Sequence, residues 1–224
     1  MNDHACDSVY NYEAYKGLWS SMNAANMHEI AYALERQSGD KPWDLYTGKH
    51  LLDFVDNHDV PRIATQLADK KQLKPLYGLL FGMCGVPCVY YGSEWGIEGA
   101  RTSTCDDMLR PAIAPEQFAK LHNDLTDHIG RLAKLHRQHP ALCTGMYREL
   151  LLTNRQYAYA RSLDEEHIIT AVNIDENGAF LSFRLPMGGK EAVDLVSGEK
   201  IAIDNGCLNL ALDGCESKIL KIVG

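Results

Sequence analysis

No stretch of this chain approaches the roughly 18 to 20 consecutive apolar residues that cross a bilayer, so a membrane partner is not expected. Runs of lysine or arginine are missing too: 22 basic residues are scattered among 30 acidic ones, for a net charge of −8. Gripping a phosphate backbone needs clustered positive charge, which argues against a nucleic-acid partner. Paired cysteine spacing is also lacking. The seven cysteines are odd in number, and Cys84 and Cys88 stand too far apart for C-x-x-C, so scattered reduced thiols are expected. The opening MNDHACDSVY has neither a basic segment nor an apolar one, so no export signal is read and a cytoplasmic location is expected.

Several catalytic signatures fail as well. HEIAY (28–32) misses HExxH because Tyr32 stands where the second histidine belongs. His136 and His139 form an HxxH at a helix end without a nearby Cys or carboxylate, which reads as surface. GSEWGIEG does not open a helix as a dinucleotide fingerprint does. CDDM (105–108) could touch calcium, but two adjacent loop acids are ordinarily solvated, so no cofactor is predicted.

The residues that are present fall into two textures. Up to about Pro140, short apolar runs alternate with helical patterns. SVYNY (8–12) is strand-like, Asn11 can cap a helix starting at Tyr12, and apolar residues recur from Tyr15 to Leu34 until Ser38-Gly39-Asp40. HLLDFV (50–55) is the next strand, succeeded by a firm helical repeat through Leu73, Leu76, Tyr77, Leu80, Phe81 and Cys84. CVYYG (88–92) reads as a third strand, and a helix through Phe118, Leu121, Leu125, Ile129, Leu132 and Leu135 ends at His139-Pro140. Repeated strand–helix units predict a parallel sheet. After Leu142 the helical signals vanish. Short strand candidates separated by Asp175-Glu176-Asn177-Gly178, Ser197-Gly198 and Asp204-Asn205-Gly206 predict an antiparallel sandwich. The expected division is residues 1–140 and 141–224.

Chemistry-bearing side chains gather at the predicted strand ends. Asn57, His58 and Asp59 come after the 50–55 strand, Tyr10 and Asn11 close the first, and Tyr91, Glu94 and Trp95 close the third. Parallel barrels place their catalytic groups on that face. Carboxylate, imidazole, amides and aromatic rings together suit a polyhydroxylated ligand. The plainer reading of Asn57-His58-Asp59 is a strand-end turn capping a helix, and of Tyr91 and Trp95, core packing.

FVDNHDVPR (54–62) resembles the fourth conserved motif of the α-amylase family, glycoside hydrolase family 13. GVPCVYYGSEWGIEG is similar to that family's eighth barrel strand and its adjoining loop, and LRPAI to its Arg-x-Pro segment. SVYNYEAYKGLWSSMNAANMHEIAYAL is similar to its sixth strand and helix, with the neopullulanase and cyclomaltodextrinase branch nearest in character. The resemblance implies an α/β fold made of the last three βα units of a (β/α)₈ barrel (strands 6–8), and then an antiparallel β-sandwich. It implies an α-glucan oligosaccharide as ligand and retaining cleavage or transfer at α-1,4 bonds. Asp59 then matches the carboxylate that binds sugar hydroxyls and favours an oxocarbenium-like transition state, and His58 the imidazole on the same sugar. Arg110 and Tyr91 match sugar-contact or site-supporting positions, and Arg62 one that pairs with a carboxylate to set the rim.

A retaining glycosidase also needs a nucleophilic and a proton-donating carboxylate roughly 5 Å apart. The family's Gly-x-Arg-x-Asp does not occur here; RSLD (161–164) has the wrong spacing, and Glu94 comes after the eighth strand rather than the fifth. The expectation is a catalytically incomplete portion of a longer enzyme, completed by an N-terminal half-barrel or by a homo-oligomer. Two other readings stand beside it: a non-catalytic carbohydrate-binding or regulatory fragment, and an interaction protein that associates through open sheet edges.

Overall fold

The computed structural model describes residues 6–39 and 41–224. Asp40, part of the expected stop after the first helical pattern, lies outside the described residues, as do residues 1–5. Among the described residues, no helix is long and apolar enough to cross a membrane.

The first part is helical around a narrow parallel sheet. Helices α1 (Tyr12–Asn23) and α2 (His28–Ser38) precede strand β1 (Leu52–Phe54). After β1 come a short α3 (Ile63–Gln66), α4 (Leu73–Gly82) and strand β2 (Val86–Cys88). Next are α5 (Phe118–Leu121), α6 (Asp124–Gln138) and α7 (Pro140–Thr144). β1 and β2 pair in parallel, Leu52 opposite Val86 and Phe54 opposite Cys88, with α4 crossing between them. The expected first strand contracts to one parallel bridge, Tyr10 to Leu52. Asn11 accepts from Ala14 N at 3.0 Å, so its cap starts the helix immediately and leaves no room for a longer strand. The long 12–34 pattern divides because Ala25 takes φ 49°, which a helix does not tolerate. The 118–135 pattern divides at Asn123, whose side chain accepts from Leu125 N and Thr126 N and caps α6.

Eight antiparallel strands complete the chain: β3 (Met146–Leu152), β4 (Gln156–Leu163), β5 (Glu166–Asn173), β6 (Ala179–Arg184), β7 (Glu191–Asp194), β8 (Lys200–Asp204), β9 (Cys207–Leu212) and β10 (Glu216–Val223). They form one sheet in the order β3-β4-β5-β10-β7-β8-β9-β6. Asn205 and Gly206, both at positive φ, close the β8–β9 hairpin where the sequence places its turn signal.

β4 and β5 are buried on both faces, and their period of two sorts the side chains between two cores. Tyr157, Tyr159, Ile168 and Val172 join one cluster with Leu18, Leu76, Leu80 and Ile129 of the helical part. Ala158, Ala160, Ile169 and Ala171 face a second cluster with Leu181, Phe183, Leu208 and Leu210. The sheet is therefore the wall against which the helices pack, and it folds over its own far face. This explains why α4 is buried all round rather than along a stripe. A Cβ at Gly78 would overlap Ser217, and one at Gly82 would overlap Thr170, so backbone there meets sheet directly.

The HxxH pair corrects the surface expectation. His136 is buried with Nδ1 2.8 Å from Phe81 O, and His139 Nδ1 lies 2.8 Å from Glu166 Oε1. Each ring has its own partner across a packing seam.

Candidate active site

β1 delivers the chain into a turn at its C-terminal end. Asn57 is buried there: its Oδ1 accepts from Asp59 N at 2.8 Å, and its Nδ2 donates to Tyr12 OH at 3.2 Å. This Asx turn swings the next two side chains outward, leaving those of His58 and Asp59 about half exposed, at 53% and 52%. His58 Nε2 lies 3.2 Å from Asp59 Oδ2, and Arg110 Nη2 lies 3.6 Å from Asp59 Oδ1. Arg110 also donates from Nε to His58 O at 3.3 Å and from Nη2 to Asp106 Oδ2 at 2.8 Å. Asp59 thus stands between an imidazole and a guanidinium. Half-exposed pairs of this kind contribute only about 0–1 kcal/mol, so their role is orientation.

A buried layer lies directly beneath. Asp56 is enclosed and accepts from Ile63 N at 2.8 Å and from Ser93 Oγ at 2.7 and 2.8 Å. Burial pushes its carboxyl up, opposed by those hydrogen bonds and by the charge of Arg62. Arg62 is fully buried. Its Nη1 donates to Tyr91 O at 2.6 Å and to Ser93 Oγ at 3.3 Å. Its guanidinium lies 4.3 Å from the centre of the Tyr90 ring and 5.0 Å from that of Tyr91.

His58, Asp59 and Arg110 therefore come together on an open rim, with Tyr91 beside them, its hydroxyl donating to Pro111 O at 3.0 Å. Tyr10 is exposed, its ring 5.8 Å from Phe54 on the β1 side. Three expected contacts are placed otherwise, the first being the buried Asn57, whose side chain bonds to Asp59 N and Tyr12 OH. Arg62 is enclosed with only Nη1 hydrogen-bonded, Nε and Nη2 lacking partners among the described residues, so its expected pairing with a carboxylate is not direct. Asn11 is buried, donating to Gln37 Oε1 at 2.8 Å and Asp53 Oδ1 at 2.7 Å besides capping α1. Asn11 turns inward because α2 brings Gln37 against it, and Arg62 because the loop bearing Tyr90, Tyr91 and Ser93 closes over it. Glu94 and Trp95 sit in a tight turn between two left-handed glycines, Gly92 and Gly96. Thr126 Oγ1 donates to Glu94 O, Asn123 Nδ2 donates to Trp95 O, and the Trp95 ring meets Phe118 at 5.2 Å. The Trp95 ring thus belongs to the α5–α6 side more than to the rim, whereas one Glu94 carboxylate oxygen is buried without a hydrogen-bond partner and its charge helps to raise the Asp56 carboxyl.

Sequence reasoning missed Asp56, Tyr90, Ser93 and Asp106. Asp106 could have been found from its i, i+4 spacing to Arg110. Tyr90 could have been found from its pairing with Tyr91; its ring lies 6.4 Å from that of His58. Asp106, the first acid of CDDM, is held by Arg110 at 2.8 Å and by Arg101 at 3.6 Å. Among the described residues, no group of three or more His, Cys, Asp or Glu side chains is arranged to hold a metal ion. The cavity of about 670 Å³ lined by Glu35, Met146, Arg148, Glu149 and Met187 includes none of the rim residues.

A family model described as the α-amylase catalytic domain matches residues 2–140. A cyclomaltodextrinase from a Bacillus species is 28% identical over 177 residues, covering 77% of this chain and 30% of that protein. Neopullulanase 2 from Thermoactinomyces vulgaris is 26% identical, covering 96% of this chain and 36% of its own length. The solved structure of an α-amylase from Geobacillus thermoleovorans, complexed with acarbose, superposes with a TM-score of 0.82 at 20% identity, over 97% of this chain and 48% of that one. The chain spans about a third of the length of the curated relatives it matches. The strand-end turn bearing His58 and Asp59 lies inside the matched segment, and the chain belongs to the α-amylase family.

Proposed function

We propose that this chain supplies the Asp59–His58–Arg110 side of a retaining α-glucan site in an α-amylase-type glycoside hydrolase. Residues 1–140 take the part of the last three βα units of the catalytic barrel (strands 6–8), and residues 141–224 that of the C-terminal β-sandwich. The observation that carries the reading is the half-exposed Asp59 carboxylate at the end of β1, aimed outward by Asn57 and flanked by His58 and Arg110. A carboxylate so held accepts hydrogen bonds from vicinal hydroxyls and favours the positive charge that develops at the sugar carbon as the glycosidic bond breaks. The guanidinium of Arg110, 3.6 Å from its Oδ1, holds the carboxylate in place beside His58. Retention also requires a nucleophile and a general acid. We assign both to polypeptide other than this chain, in keeping with the absence of Gly-x-Arg-x-Asp from its sequence.

Calorimetric titration with acarbose tests the rim. Binding that Asp59→Asn weakens at least about tenfold supports it, and equal affinity in both proteins refutes it. Reducing-sugar release from starch and cyclodextrin tests the division of labour. None is expected from the chain alone, whereas activity is expected on mixing with the N-terminal portion of the cyclomaltodextrinase relative. Robust turnover by the chain alone overturns the assignment of the two carboxylates.

A second reading, association through open sheet edges, is favoured by the exposed Val9 and Tyr10 at the bridge to β1 and the exposed Val86 on β2. A stable oligomer in sedimentation that ignores acarbose would select it.

A further inference from the structure

The layer under the rim contains a charge arrangement that packing alone does not require. Arg62 is fully enclosed, yet among the described residues it forms no direct ion pair. Its connection to Asp56 runs through a single hydroxyl: Arg62 Nη1 donates to Ser93 Oγ at 3.3 Å, and Ser93 Oγ donates to Asp56 at 2.7 Å. A hydroxyl has one proton to give and lone pairs to receive, so Ser93 is used in both directions. Ser93 is itself wholly buried, so water cannot stand in for it without a rearrangement.

These residues come from two separate loops. Asp56 belongs to the turn that carries His58 and Asp59, and Arg62 leads that turn into α3. Ser93 lies in the loop that begins with Tyr90 and Tyr91 and ends at Arg110. Other ties join the same loops further out: Arg62 N donates to Gly99 O at 2.9 Å, and Gly99 N donates to Thr65 Oγ1 at 2.8 Å. The rim's own links, Arg110 to His58 O and to Asp59, are longer and half exposed, hence weakened by water.

We infer that Ser93 is a positioning residue: its hydroxyl couples Asp56 to Arg62 and so sets how closely the His58–Asp59 turn approaches the loop bearing Tyr90 and Arg110. It acts without touching a ligand. This builds on the proposed sugar site, but its first readout does not depend on sugar.

The test is Ser93→Ala in the full chain, with Ser93→Thr as the hydroxyl-retaining control and thermal unfolding to confirm the fold. Ring signals of His58 and Tyr90 are tracked by NMR, assigned through His58→Gln and Tyr90→Phe. Ser93→Ala should move both sets of signals and weaken acarbose binding about tenfold, the scale of one hydrogen bond to a charged group. Ser93→Thr should restore the His58 signals. Unmoved His58 and Tyr90 signals in a folded Ser93→Ala protein overturn the inference. If Ser93→Ala does not fold, Asp56→Asn serves: it keeps the shape and removes the charge, and it must shift the same His58 signals for the inference to stand. Failure of the parent chain to bind acarbose would defeat the sugar reading, while the NMR signals would still decide the role of Ser93.

Discussion

Asp59 lies half exposed between His58 and Arg110, whereas Asp56, three positions earlier, and Asp53, three earlier again, are almost fully enclosed. Three identical side chains on one short stretch thus meet three surroundings. On the rim, water solvates each charge, so contacts near 3.2–3.6 Å persist at little cost and stay free to exchange for a ligand's hydroxyls. In the layer beneath, water is gone and every carboxylate oxygen needs a protein donor. Asp56 has Ser93 and Ile63, with Arg62 nearby. Asp53 has Asn11 on one oxygen, while its other oxygen is buried without a partner. Burial accordingly pushes the Asp53 carboxyl up to about 7, only partly opposed by Asn11 and by the charge of Arg161. Exposure makes an aspartate available for chemistry; enclosure turns it into a brace.

The strongest way to break this contrast is to truncate both aspartates. Asp56→Ala removes the charged acceptor of Ile63 N and Ser93 Oγ, hydrogen bonds worth about 1.5–3 kcal/mol each, and leaves Arg62 without the charge it faces through Ser93, read as a lower urea midpoint. Asp59→Ala should shift stability by less than about 1 kcal/mol while abolishing measurable acarbose binding. Comparable losses of stability from the two would show that the layers do not differ.

Asp53 sharpens the contrast through pH. Its folded carboxyl binds a proton more tightly than the unfolded one, whose value is near 3.8. The stability it contributes is full below about pH 4 and is lost as pH rises toward and through about 7. Three units correspond to on the order of 4 kcal/mol across that window. Asp53→Asn, which keeps an acceptor for Asn11, should flatten this part of the stability–pH curve measured by urea unfolding at intervals from pH 4 to 8. An unchanged slope would show that the carboxylate is solvated after all.

How much of this is legible in the sequence depends on how local each signal is. The 50–55 apolar run, the repeat of α4, the Asn205-Gly206 turn and the polar triplet after β1 are properties of a few adjacent residues. Burial of Arg62 and Asn11 is not, because it depends on which distant element closes over them. Arg62 reads as a rim cation until Tyr90, Tyr91 and Ser93 are known to cover it. Asn11 reads as a strand-end amide until Gln37, 26 positions later, pairs with it. The division of the first helical pattern is also hidden, since no Gly or Pro marks Ala25. The all-round burial of α4 is hidden because the sheet that covers its second side lies beyond residue 146.

The smallest expected effect belongs to the rim alone. Arg110 has three acceptors, and the shortest contact is to Asp106 at 2.8 Å, against 3.3 Å to His58 O and 3.6 Å to Asp59. Asp106 therefore holds the guanidinium back from Asp59. Asp106→Asn removes that charge, lets Arg110 close on Asp59, and makes the carboxylate less available to a ligand. Stability should stay within about 0.5 kcal/mol, as for most surface changes, while acarbose affinity falls by about two- to threefold. Because these groups are half exposed, the affinity difference should vanish near 1 M salt, where the screening length is about 3 Å. The penalty of Asp56→Ala, set in a layer that salt does not reach, should survive the same salt unchanged.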